Sequence, residues 1–274
     1  MTTKLKPSKA PIAPPPPPDE LLPAEDLDEG GARMSFLDHL DELRRRLTRA
    51  ALALVIGTVI GFLVASPVLR YLQTPYGERF QVLDPTGSVV SFFRVALLVG
   101  GVLSIPMVTY QVLMFVFPAL TRGEKRRVLA AIPAITALFL VGAAFAWFVL
   151  VPPALGFLEE FQSDIFFVQW EADSYLGFVT ALVFWMGVAF ETPLIFFVLS
   201  LLGLVGPRVL FKNWRIAIVG SAIAAALITP TVDPVNMGLV MGPLLVLYLI
   251  SIVLTTIGRR FARIEPDSVS AGAE

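Results

Sequence analysis

LGFVTALVFWMGVAFETPLIFFVLSLL, residues 176–202, holds one charged residue, Glu191, in 27 positions. A helix needs roughly 20 apolar residues to cross a hydrocarbon core about 30 Å thick, so this run predicts a membrane span. Five further apolar runs share the chain with it, at about residues 47–66, 92–117, 129–151, 215–230 and 236–257. All exceed the roughly 9 to 11 residues of a barrel strand, and in lipid a backbone must satisfy its own hydrogen bonds. The expected fold is therefore all-α, a polytopic membrane protein with six transmembrane helices. Composition agrees: of 274 residues, 56% are apolar and 16% charged, with mean hydropathy +0.76, against about 25% charged in soluble domains. Without cysteine there is no disulfide framework and no thiolate metal or redox site, and the single histidine, His39, leaves little imidazole chemistry. An intramembrane hydrolase fails on the same inventory, because no Gly-x-Ser-x-Gly or His-Glu-x-x-His string and no intramembrane aspartate pair occurs.

Residues 1–33 do not share this character. Pro14 to Pro18, followed by Asp19, Glu20, Glu25, Asp26, Asp28 and Glu29, cannot bury enough apolar surface to offset ordering, which predicts a disordered tail. Lys4, Lys6 and Lys9 resemble the start of a signal peptide, but no apolar stretch of about 7 to 15 residues follows them. The membrane domain is expected over 34–261, with 262–274 a flexible cytoplasmic tail. Its orientation follows from the loops. Arg44, Arg45, Arg46 and Arg49, then Arg122, Lys125, Arg126 and Arg127, then Arg208, Lys212 and Arg215, and finally Arg259, Arg260 and Arg263 place fourteen cations on one side. The other side has Arg70, Arg79 and Arg94, and its 152–175 loop carries five acids and no cation. The positive-inside rule then puts both termini in the cytoplasm. The fifth run is short: Arg215 to Thr229 would span about 22 Å, so either the bilayer thins beside it or the helix packs inside the bundle and flanking turns extend it.

Four places could carry function. In SFLDHLDELRRRL, residues 35–47, Ser35 and Asp38 have capping spacing, and Phe36, Leu40, Leu43 and Leu47 form one apolar stripe of an amphipathic helix. Here Glu42 is either an ordinary pair with Arg46 four residues on or a local acid to which a cationic ligand is drawn. In FVFPALTRGEKRR, residues 115–127, Thr121 and Glu124 have capping-box spacing, yet Glu124 is also the one carboxylate of a strongly basic loop. Phe115 and Phe117 above it are lipid-facing or core residues, or the wall of an apolar groove. Glu191 is the only acid well inside a span, and burying its charge costs from about 2.5 kcal/mol upward, so it should face protein or a wet cavity. Gln111 and Thr192 repeat that signal more mildly, and Pro106 and Pro193 free carbonyls for such partners. Lastly, in ITPTVDPV, residues 228–235, Asp233 is placed to cap the last helix.

Taken with their order and spacing, HLDELRRRL, YQVLMFVFPALTRGEKRR, FAWFVLVPPALGF, YLGFVTALVFWMGVAFETPLIF and ITPTVDPV resemble the TatC family of the twin-arginine protein translocase, from Met34 to about residue 261. The resemblance implies a concave bundle whose first cytoplasmic segment (Glu42, Arg44) and second cytoplasmic connection (Phe115, Glu124) receive twin-arginine signal peptides. It also implies an intramembrane role for Glu191 and periplasmic positions for Pro75 and Asp233. Partners would be folded cargo carrying such peptides, the single-span subunits TatA and TatB, further copies of the chain and membrane lipid. The implied setting is a bacterial cytoplasmic (inner) membrane, and transport would draw on the proton-motive force. No catalytic residue, metal, cofactor or nucleic acid is implied. The extension before Met34 and Met237, where many relatives have glutamine, depart from the pattern. A proton-coupled small-solute transporter using Glu191 is the alternative, although the sequence shows no internal repeat to support it.

Overall fold

A computed structural model describes residues 36–75, 79–116, 122–165, 169–229 and 233–264, with the side chains of 36–38, 116, 122–125, 127–128 and 261–264 excepted. The 1–33 tail, Ser35, Phe117, Thr121, Pro230 and the 265–274 tail thus lie outside the described residues. The apolar runs form helices α1 (Phe36–Leu72), α2 (Gly87–Val116), α3 (Arg122–Phe145), α4 (Val151–Glu160), α5 (Ala172–Leu201), α6 (Pro207–Lys212), α7 (Trp214–Ile228) and α8 (Pro234–Ile264). A π turn, Ala146–Leu150, joins α3 to α4. Pro152 and Pro153 lack the amide hydrogens that would bond the carbonyls four residues back, so the helix widens here instead of ending. As a result 152–160, expected as loop, continues the third span.

Among the described residues five helices are long and apolar enough to cross a membrane, and α7 is a shorter apolar helix of 15 residues. At 1.5 Å per residue it extends about 22 Å. It is neither inside the bundle nor lengthened by its neighbours. It packs chiefly on α8, Leu227 is 80% exposed and Ile216 70% exposed, and a non-helical Asn213 (φ −97°, ψ 21°) separates it from α6.

The tightest seam joins α1 to α2. Gly57 and Gly61 form a GxxxG pair, and a Cβ on Gly57 would come within 2.6 Å of the Gly100 carbonyl oxygen, while one on Gly61 would overlap that of Ala96. Small residues let helix backbones approach closely where lipid supplies no hydrophobic drive. Ser104 adds a bond across the seam, its hydroxyl donating to the Ala53 carbonyl at 2.9 Å.

Helix α5 is the central post, packed against α2, α3 and α8, with Tyr175, Leu176, Val179, Leu182 and Met186 buried. At its start, Ala172 N–H donates to the Gln81 carbonyl at 2.8 Å and the Tyr175 hydroxyl to the Leu72 carbonyl at 2.9 Å, tying two loops and the end of α1 together. At the other end the Ser200 hydroxyl donates to the Thr255 carbonyl of α8 at 2.7 Å.

Candidate functional site

The first turns of α1 are amphipathic, as the leucine spacing predicts, but the packing is the reverse of a helix lying on its apolar stripe. Leu40, Leu43 and Leu47 are exposed, and the half-buried positions are His39, Glu42 and Arg46. Those three recur at spacings of three and four, so they share one face, and this polar face meets the bundle.

The contact is made by His39, whose ring stacks on Phe115 near the end of α2 with centroids 4.7 Å apart and planes 19° from parallel. One turn along α1 from His39, Glu42 Oε1 accepts two bonds from Arg46, from Nε at 2.8 Å and Nη2 at 2.5 Å. That is the four-residue pair the spacing allows, but it engages one carboxylate oxygen only. Glu42 Oε2 is buried and has no hydrogen-bond partner among the described residues. Arg44 is exposed and two residues away on the helix, so it turns to a different face from Glu42. The backbone of Glu124 lies in the first turn of α3, while its side chain lies outside what is described.

Deeper along α2, Gln111 is one turn below Phe115 and is 2% exposed. Its amide nitrogen reaches only the Met107 sulfur, at 3.7 Å, and its Oε1 has no partner among the described residues. The Thr109 hydroxyl, about 9 Å along the axis from Phe115 at 1.5 Å per residue, donates to Glu191 Oε2 at 3.5 Å. Glu191 is 6% exposed and its Oε1 also lacks a partner among the described residues. A buried polar group without its bonds costs about 1 to 3 kcal/mol, so the open Glu191 oxygen between α2 and α5 is unfavourable for stability, and the open Gln111 oxygen, two residues from Thr109 on α2, is a second such group on a different face of that helix. Thr192 is half-buried beside Glu191.

Pro75 and Asp233 lie at the opposite end. Pro75 is in the exposed turn after α1. Asp233 caps α8, with Oδ1 accepting from Asn236 N–H at 2.7 Å and Oδ2 from Asn236 Nδ2 at 3.0 Å, the capping that the turn sequence suggested.

Two features escaped the sequence reading. His39 carries the aromatic contact, and its position three residues before Glu42 was the available signal. Arg94, grouped with the outward loop, is inside α2, where it forms an ion pair with Asp173 Oδ1 at 3.1 Å and donates to the Asp173 carbonyl at 2.5 Å. Gly177 makes room for it, since a Cβ there would lie 2.5 Å from Arg94 Nη1.

The family model described as Sec-independent protein translocase protein (TatC) matches residues 38–243. The Sec-independent protein translocase protein TatC of Synechocystis sp. is 37% identical over 220 residues, covering 78% of this chain and 85% of that protein. An uncharacterised tatC-like protein of Porphyra purpurea is 32% identical, over 86% of this chain and 94% of its own. A crystal structure of the twin arginine translocase receptor TatC superposes with a TM-score of 0.71 at 34% identity, covering 80% of this chain and 99% of that one. With the family model matching residues 38–243 and relatives 32% and 37% identical over most of their length, this chain belongs to the TatC family of Sec-independent protein translocase proteins.

Proposed function

We propose that this protein is the receptor core of a twin-arginine translocase in a bacterial cytoplasmic membrane, with both termini in the cytoplasm. Its ligand is the twin-arginine signal peptide of a folded cargo protein. The observation that supports this most is the His39–Phe115 stack, which joins the Glu42 segment and the start of the second connection into one surface. A pair of guanidiniums needs carboxylate acceptors at fixed places, and each charge-assisted bond is worth about 1.5 to 3 kcal/mol where solvent is partly excluded. Glu42 Oε2 is such an acceptor, and Glu124 is the second. Arg44, on the outer face, meets the peptide flank or lipid headgroups. The peptide's apolar stretch continues down the apolar face of α2 from Phe115, while Gln111 and Glu191, buried deeper, serve transport and not peptide affinity. Pro75 and Asp233 shape the periplasmic turns.

TatA- and TatB-type subunits and further copies of this chain complete the assembly, and the proton-motive force drives it. The small-solute transporter reading has no support in the family placement. Binding of a labelled twin-arginine peptide to the reconstituted protein tests the proposal. Glu42→Ala and Glu124→Ala each weaken it at least about tenfold, as expected for a lost bond of about 1.5 kcal/mol. Unchanged affinity in both single variants and in the double variant would sink the receptor reading.

A further inference from the structure

The elbow that precedes α7 builds a second polar site, remote from the receptor surface. The Tyr248 hydroxyl donates to the Leu210 carbonyl at 2.5 Å and fastens α6 against α8. Arg208, in the first turn of α6, is thereby brought beside Arg259 and Arg260 in the last turns of α8. A cavity of about 400 Å³ opens between them, lined also by Gly206, Val209 and Thr256. Gly206 leaves room for the Arg259 guanidinium as it lies here, since a Cβ there would stand 2.8 Å from Arg259 Nη2 and 3.0 Å from its Cζ.

Three arginines from two separate elements therefore line one concavity, with no acid among its described lining residues. The ion pairs among the described residues are Arg46–Glu42 and Arg94–Asp173, so none of these three is neutralised there. Like charges held together in this way call for a counter-anion, and guanidinium forks match the several oxygens of a phosphate group. The surroundings identify the source of that phosphate. Val209 and Phe211 on α6, Trp214 at the start of α7, and Val253 and Ile257 one turn below on α8 are all exposed, and Arg215 covers the Trp214 ring at 5.5 Å. Tryptophan beside arginine above exposed aliphatic side chains is the pattern of a membrane interface.

We propose that Arg208, Arg259 and Arg260 bind the phosphate of an anionic phospholipid in the leaflet on the basic side, with its acyl chains against Val209, Val253 and Ile257. The inference shares only the membrane orientation with the receptor reading, so either can fail alone. A lipid held here would pin the short α7 to α8 at one end.

Native mass spectrometry of the full chain, purified in detergent with equal phosphatidylglycerol and phosphatidylcholine, tests it. Phosphatidylglycerol is retained in preference, and Arg208→Gln, Arg259→Gln and Arg260→Gln each lower retention about fivefold. Gly206→Leu lowers it without changing charge. A control carrying Arg45→Gln, Arg49→Gln and Arg126→Gln, which removes three charges elsewhere against one in each pocket variant, leaves it intact, and melting curves verify that every variant is folded. Equal loss in the control, or no loss in the pocket variants, overturns the site. Displacement of the lipid by millimolar inorganic phosphate, with phosphate retained alone, overturns the lipid as its ligand. Severalfold higher retention after truncation at Ile264 would instead assign the cavity to the acidic tail that follows.

Discussion

Glu42 and Glu191 are both carboxylates with one oxygen bonded and one left open among the described residues, yet their surroundings differ in kind. Glu42 sits at the bundle's end, is held by a guanidinium of its own helix, and borders a ring stack that joins two segments. Glu191 is 6% exposed in mid-bundle, and its one bond is a long one from a neutral hydroxyl. The first is an acceptor already matched to a cation, which another cation can replace or share. The second has no charged partner among the described residues, and its one described bond is to Thr109 of α2.

The comparison breaks most severely if the scaffold that presents Glu42 is pried open. Gly61→Leu drives a side chain into the Ala96 carbonyl of α2 and is expected to cost about 3 kcal/mol or more. Thermal unfolding in detergent should show a large fall in Tm with loss of peptide binding. A variant that melts like wild type would mean that the α1–α2 seam is not what holds the surface together.

Next in size is the buried acid. Glu191→Leu removes an incompletely bonded carboxyl and should leave Tm unchanged or raise it, by up to about 1 to 3 kcal/mol of stability. Transport should fall severalfold while signal-peptide affinity stays within about twofold of wild type, roughly 0.4 kcal/mol. Destabilisation by that variant would show the glutamate to be a structural hydrogen-bonding group, and the contrast with Glu42 would dissolve.

The smallest expected effect sharpens the contrast from the other side. Arg46→Gln removes the internal cation competing for Glu42, a pair of about 0.2 to 0.5 kcal/mol. Peptide affinity should rise by up to about twofold, detectable by careful titration. Weaker binding would show Arg46 to be a necessary part of the receptor surface.

Much of this was legible in the primary structure, for reasons that differ by element. Uninterrupted apolar length reports a span because the bilayer imposes it, and α2, α5 and α8 appear where the runs lie. The cap at Asp233 was legible because capping is local. The GTVIG string of α1 has no meaning by itself, because its role depends on Gly100 and Ala96, which face it from α2. The extent of the third helix was misread since two consecutive prolines signal an end, whereas a π turn absorbs them.

From its residues alone, this chain determined that it is helical, that it lies in a membrane, where most of its long apolar helices fall, and that it has the motifs of the TatC family. Each of these depends on composition, length or short-range order. Only the tertiary structure decided that the His39, Glu42 and Arg46 face meets the bundle while the leucines face away, that Arg94 finds Asp173, and that three arginines share a cavity. Periodicity separates the two faces of a helix but carries no information about which neighbour will cover either one.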